Sequence, residues 1–339
     1  MGVKNRLRNL LSGAVRPFGY EVMEQSALYD WQKPTGDQSP STSTDLPDGA
    51  FAYLVDNHPS LEALRARYAK FNAAVTAPLV WTDELVRGER LRFFRGDYAY
   101  VWQRQGRNMN LLGYALTMYY ARSIDTLGLM EKLQDDDLFG NRPFQVDGRY
   151  VSRDLLDSLI EIYFLERHLK LSQLDRPTLL DIGAGYGRLA HRVVEGLPNV
   201  GQYLCTDGVA ASTFVSEYYL RFRKASKASV IPLDEIEARL TSQKVDIAIN
   251  IHSFSECQIS AIDWWLALLA RAGVRYLFIV PNTAGGSDGQ QLLTNDLKDF
   301  MPLIERCGYR LVVREPKFRD PVVQTYGINP TYHHLFELR

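Results

Sequence analysis

The chain has 339 residues, 46% of them hydrophobic and 23% charged, with a formal net charge of -1. It exceeds one average domain and can bury a sizeable core. The balanced charge supplies no global basic field, which argues against nucleic acid as a partner. No apolar run approaches the roughly 20 residues that cross a bilayer. Cys205, Cys257 and Cys307 stand far apart, show no metal-ligand spacing and suit a reducing cytosol.

Residues 1–31 form an amphipathic segment. Lys4, Arg6, Arg8 and Arg16 stand among Val3, Leu7, Leu10, Leu11, Val15 and Phe18, and Leu7, Leu10 and Leu11 share one helical face. The small apolar face favours a helix packed on its own or a neighbouring domain. The alternative is a weak membrane-surface contact, peripheral to the inner face of the membrane. No uninterrupted apolar stretch follows the cations, so the segment does not read as a secretory signal and a cytoplasmic location is expected. Residues 32–49, rich in Pro, Ser, Thr and Gly, are expected to be a flexible linker.

Residues 50–150 are expected to form a mainly helical cap that shapes an acceptor pocket. Within it, 59–74 reads as a helix capped by Ser60, with Leu61, Leu64, Tyr68 and Phe71 at helical spacing. A second apolar helix is expected over 110–127. The run Asp135, Asp136 and Asp137 reads as a solvated loop or helix start rather than a metal site. Phe93, Phe94, Tyr98, Tyr100, Trp102, Tyr114, Tyr119 and Tyr120 offer rings on which sugar C–H faces can stack, although most are expected in the core of the lobe.

From 151 onward the pattern changes. Ser152 and Asp154 open a helix, after which TLLDIG, QYLCTD, SVIPL, VDIAINIHSF and RYLFIVP read as apolar strands with helices between them. That is the signature of a doubly wound, Rossmann-like α/β sheet covered on both faces. YRLVVREP and HHLFEL follow with only a loop between them, so five parallel strands should end in an antiparallel pair.

The sharpest local signal is LLDIGAGYGR at 179–188. Gly183, Gly185 and Gly187 let the backbone turn tightly with a ligand lying against it, and the helix that follows offers free N–H groups. Asp181 stands two residues before the first glycine, where dinucleotide folds usually place an apolar residue, and GxGxG closes sooner than GxGxxG. Asp207, ending the next strand, can accept both ribose hydroxyls of an adenosine or cap the following turn. Asp234 either accepts the adenine amine or caps the helix after it. The segment 245–256 brings Asn250, His252, Ser253, Ser255 and Glu256 to the sheet edge. His252 is a candidate general base, and Glu256 either orients it or serves as the base if desolvation raises its pKa. The plain alternatives are a His252 bonded to a backbone carbonyl and a Glu256 that caps the next helix.

The glycine loop resembles motif I of class I S-adenosylmethionine-dependent methyltransferases. LLDIGAGYGRLA, TDGVAASTFVSEYYL, INIHSFSE and GYRLVVREPKF…YHHLFELR resemble the sugar O-methyltransferases of bacterial glycan and glycolipid gene clusters. The resemblance runs from about 151 to 339 and covers the cap only loosely. It implies S-adenosylmethionine as cofactor, held by Asp181, Gly183, Gly185, Gly187, Asp207, Asp234 and Asn250, with Asp181 on the ligand's ammonium and Asn250 at its methionine end. It implies methyl transfer to a sugar hydroxyl of a saccharide, glycolipid or glycosylated metabolite, with His252 and Glu256 as the catalytic pair and His252 the base. Some related enzymes use Mg2+, for which these residues name no ligands. Competing readings are methylation of a non-sugar hydroxyl or amine, an NAD-dependent oxidoreductase, and a non-catalytic methyltransferase-like subunit. The acid before the glycines and the antiparallel pair argue against NAD.

Overall fold

The computed structural model describes residues 3–18, 20, 22, 46–96, 100–106, 108–283 and 288–339. Most of the expected linker and Tyr98 lie outside the described residues.

Seven strands form the central sheet: β3 (Thr178–Ile182), β4 (Gln202–Thr206), β5 (Ala228–Val230), β6 (Ile247–Ile251), β7 (Tyr276–Val280), β8 (Tyr309–Pro316) and β9 (Tyr332–Leu338). Their order is β5-β4-β3-β6-β7-β9-β8. β3 to β7 run parallel, and β9 lies antiparallel to both β7 and β8. This is the expected doubly wound, Rossmann-like sheet with its antiparallel terminal pair. Leu179, Leu180, Leu204, Cys205, Ala248, Ile249, Leu277 and Phe278 are all buried, as strands covered on both faces must be. One connection differs from expectation. The link between β8 and β9 carries the short helix Pro321–Tyr326, where Asp320 Oδ1 accepts from the Val322 and Val323 amides.

From β3 the chain winds outward through β4 to β5, then crosses back to place β6 on the other side of β3. Helices leave the two strands in opposite directions at that switch, opening a crevice at their carboxyl ends.

The preceding residues are mainly helical, with a small hairpin of β1 (Phe144–Val146) and β2 (Arg149–Val151) that the sequence did not announce. The first expected helix is shorter, Pro59–Tyr68, and its cap is His58, whose Nδ1 accepts from Ser60 N at 3.2 Å. Pro59 suits the first helical position because its missing N–H would be unpaired there anyway. Tyr68 carries the helix onto the sheet layer: its hydroxyl bonds Thr213 Oγ1 and accepts from Leu233 N, both at 2.8 Å. The second helix, Leu111–Ser123, is capped by Asn110.

The acidic run is divided: Asp137 stays exposed at the start of the 3-10 turn Leu138–Gly140, while the two acids before it are drawn inward. Asp135 and Asp136 lie 2.9 and 2.5 Å from the fully buried Arg95, which also reaches Asp154 at 3.1 Å. Buried side chains from 50–150 and from 151–339 belong to one continuous core. The expectation of a packed amino-terminal helix is corrected: Val3–Val15 is helical, but Leu7, Leu10 and Leu11 stay exposed. Among the described residues, no helix is long and apolar enough to cross a membrane.

Candidate active site

The glycine bend leaves β3 at its carboxyl tip. Gly183 and Ala184 donate their amides to Thr206 O on β4 at 2.9 and 3.1 Å, which ties the bend to the neighbouring strand. Gly183 has φ 73° and a Cβ there would collide with the Ser253 hydroxyl; at Gly185, with φ 56°, a Cβ would meet the Tyr100 ring at 3.0 Å. Glycine is therefore required twice, by conformation and by space. Gly187 faces elsewhere, towards Leu220 and Ser216, so it serves helix packing rather than a ligand. Between them, Tyr186 is buried and its hydroxyl donates to Asp154.

One cavity of about 520 Å³ opens above this bend, within the usual range for small-molecule sites. Asp181, Gly183, Gly185, Asp207, His252 and Glu256 all line it. Asp207 Oδ2 accepts from Gly185 N at 3.0 Å and Oδ1 from Val209 N at 2.8 Å. A carboxylate oxygen has a second lone pair, so both remain able to accept from a ligand. Burial raises the Asp207 pKa to about 6 despite those amides. Asp181 accepts from Tyr203 Oη at 2.9 Å, and burial raises its pKa to about 7. Each acid is therefore held in a site that disfavours its charge until a positive or donating partner arrives.

Two expected ligands lie apart from the cavity. Asp234 forms a two-pronged ion pair with Arg67, both contacts at 2.8 Å. Asn250 is buried beneath the bend, donating to Ile182 O and Ser253 Oγ at 2.9 Å and accepting from Phe254 N at 2.9 Å. Its amide shapes the turn after β6 and is fully buried, outside the cavity lining.

His252 and Glu256 flank a short 3-10 turn, Ser253–Glu256. His252 has φ 65°, donates its amide to Val280 O at 2.7 Å, and leaves Nδ1 buried without a hydrogen-bond partner. Burial, followed by the charge of Arg153, lowers its pKa to about 3. Glu256 does not pair with His252. Its oxygens accept from Trp81 Nε1 at 2.5 Å and from Asn282 Nδ2 at 2.8 Å, and burial raises its pKa to about 7.

Two residues absent from the sequence reading, Trp81 and Arg153, complete the walls. Trp81 stacks on Tyr100 with centroids 5.1 Å apart, and Tyr100 Oη donates to Ser212 Oγ at 2.9 Å. Arg153 gives Nε to Asp157 Oδ2 at 2.9 Å. Its terminal guanidinium nitrogens have no partner among the described residues. The neighbouring cations are satisfied: Lys317 Nζ on Asp157 at 2.5 Å, and Arg188 on Glu161 at 2.9 and 3.0 Å. Of these groups, Arg153, Arg188 and Asp157 line the cavity together with Asp181. Nothing in the text around Trp81 or Arg153 marks them; only the fold brings them here. Of the candidate sugar-stacking rings, Tyr100 and Trp102 line the cavity, whereas Phe94 and Tyr114 are core. Among the described residues, no cluster of His, Cys, Asp and Glu is arranged to hold a metal ion.

No family model matches the chain. No curated protein matches it either. Among solved structures, it is similar to a SAM-dependent methyltransferase of Aquifex aeolicus, at 16% identity over 51% of this chain and 89% of that one, with TM-score 0.39. A second, an S-adenosylmethionine-dependent methyltransferase of Clostridium acetobutylicum, shares 10% over 53% and 90%, with TM-score 0.40. A third, the magnesium protoporphyrin IX methyltransferase of Synechocystis with bound SAM, shares 12% over 66% and 97%, with TM-score 0.40. These scores are all below one half, so the functional reading rests on the site itself.

Proposed function

We propose that the chain is an S-adenosylmethionine-dependent O-methyltransferase that moves a methyl group to a sugar hydroxyl of a saccharide, glycolipid or glycosylated metabolite. One arrangement carries this reading. Asp181 and Asp207 end adjacent strands on either side of a bend that has no room for side chains, and Arg153, whose Nε pairs with Asp157, brings its terminal guanidinium nitrogens to the same cavity. An acid and a cation together suit an α-amino acid, and the second acid suits a ribose diol. An adenosyl amino acid has those three groups.

The residues fit the cofactor. Asp207 would hold the ribose, Asp181 the ammonium and Arg153 the carboxylate, with Gly183 and Gly185 lining the same cavity. When bound, S-adenosylmethionine supplies a sulfonium methyl that an acceptor oxygen takes in line, leaving the electron pair on sulfur. Glu256 takes the hydroxyl proton of the acceptor. Its pKa of about 7 suits a base near neutral pH better than that of His252, lowered to about 3. Trp81 and Asn282 fix its orientation. His252 stays neutral and lines the cavity with Glu256. Trp81, Tyr100 and Trp102 offer ring faces and Asn282 an amide to a saccharide.

The test is transfer of a labelled methyl group from S-adenosylmethionine to a panel of saccharides and glycolipids, read as a mass gain of one methyl on the acceptor. Gain on a sugar supports the reading. Nicotinamide oxidation or reduction with no methyl gain overturns it.

A further inference from the structure

The helix Val3–Val15 presents an apolar stripe that the body of the protein leaves uncovered. Val3, Leu7, Leu10, Leu11 and Ala14 recur at helical spacing. Leu7, Leu10 and Leu11 are 61, 74 and 46% exposed. Ser12, on the opposite side of the helix, is buried. Phe18 and Tyr20 follow directly and are 79 and 68% exposed. The helix thus carries a stripe of exposed leucines, with two more exposed aromatic side chains following it in the chain.

Charge identifies what covers it. Lys4, Arg6, Arg8 and Arg16 lie in this stretch, and no acid occurs before Glu21. Helical spacing sets positions 4 and 8 along one border of the stripe and position 6 along the other. A second copy of the helix would bring like charges together along those borders. A bilayer with anionic headgroups instead meets the cations at its surface and takes the leucines below them, with aromatic rings at the boundary. Thirteen residues are too few to span, so the helix lies in the plane of the surface.

We infer that residues 3–20 are a membrane-surface anchor that docks the protein on an anionic lipid bilayer. The inference does not depend on the reaction catalysed. An acceptor that is itself embedded in such a surface would then be met at high local concentration.

The full-length protein is sedimented with vesicles of phosphatidylcholine alone and of phosphatidylcholine mixed with phosphatidylglycerol. It should pellet with the mixed vesicles, stay in solution with the neutral ones, and be released by salt. Leu10→Ser with Leu11→Ser, and separately Arg6→Glu with Arg8→Glu, should each lower the bound fraction about tenfold or more. Both variants should keep the thermal midpoint and S-adenosylhomocysteine affinity of the parent, because the cavity is untouched. Equal pelleting of parent and variants overturns the anchor, and so does a parent that stays in solution with mixed vesicles. Lipid-free self-association that Leu10→Ser with Leu11→Ser abolishes would assign the stripe to a second copy and overturn it as well.

Discussion

Asp207 accepts the Gly185 amide through Oδ2 at 3.0 Å, so the tip of β4 and the bend after β3 are held by the same carboxylate that faces the cavity. A single acid thereby sets the shape of the bend and offers acceptors to whatever lies on it.

Replacing Asp207 with Ala should weaken S-adenosylhomocysteine binding roughly ten- to hundredfold, the worth of hydrogen bonds to a charged group. Titration calorimetry on the folded variant reads this directly. An unchanged dissociation constant would remove Asp207 from the ligand contacts.

Acidity should govern cofactor affinity. Burial raises Asp181 from 3.8 to about 7 and Asp207 from 3.8 to about 6. Groups raised in this way favour the unliganded fold most when protonated, and that contribution is lost as pH rises through 6 to 7. A cationic ligand binds the ionised acids, so its affinity should increase over the same interval with release of protons. Calorimetry of S-adenosylmethionine binding in buffers of different ionisation heat measures both effects. Asp181→Asn should remove the part of the dependence centred near 7. A pH-independent affinity in the parent would contradict the assignment.

The two base candidates separate by turnover. Glu256→Gln should lower kcat by roughly 100-fold or more, the usual contribution of a positioned base, with S-adenosylhomocysteine affinity little changed. The rise of kcat with pH near 7 should disappear with it. His252→Ala should act mainly on the KM of the acceptor. A larger kcat loss in His252→Ala than in Glu256→Gln would return the proton to His252.

Stability should hinge on a cation remote from the cavity. Arg95 is fully buried and neutralises Asp135, Asp136 and Asp154, while Asp154 also receives the Tyr186 hydroxyl from the glycine bend. Arg95→Met leaves the buried Asp154 without an ion partner, Asp135 with Arg192 alone and Asp136 with Arg223 alone, and should cost about 3–5 kcal/mol. Urea unfolding followed by circular dichroism measures it. A loss below about 1 kcal/mol would show that these acids are neutralised in another way.

The bend and the sheet were legible because each rests on local chemistry. Glycines at 183 and 185 sit where no Cβ fits, and apolar strands alternate with helices that cover them. The contacts that the sequence hid join pairs far apart in the chain. Arg67 claims Asp234 across 167 positions, and Trp81 meets Glu256 across 175; no periodicity encodes either contact. Asn250 misled for a related reason: an amide at a sheet edge looks like a ligand contact, but its side chain is buried in the turn after β6. The acidic run at 135–137 reads as solvated until Arg95, forty positions earlier, is seen to be buried against it.

The most direct test is calorimetric titration of the folded full-length protein with S-adenosylhomocysteine, set beside the same titration with NAD. Saturable one-to-one binding of the adenosyl ligand alone, lost in Asp207→Ala, is the predicted result. Absence of heat with S-adenosylhomocysteine in a protein shown to be folded, or preference for NAD, would contradict it.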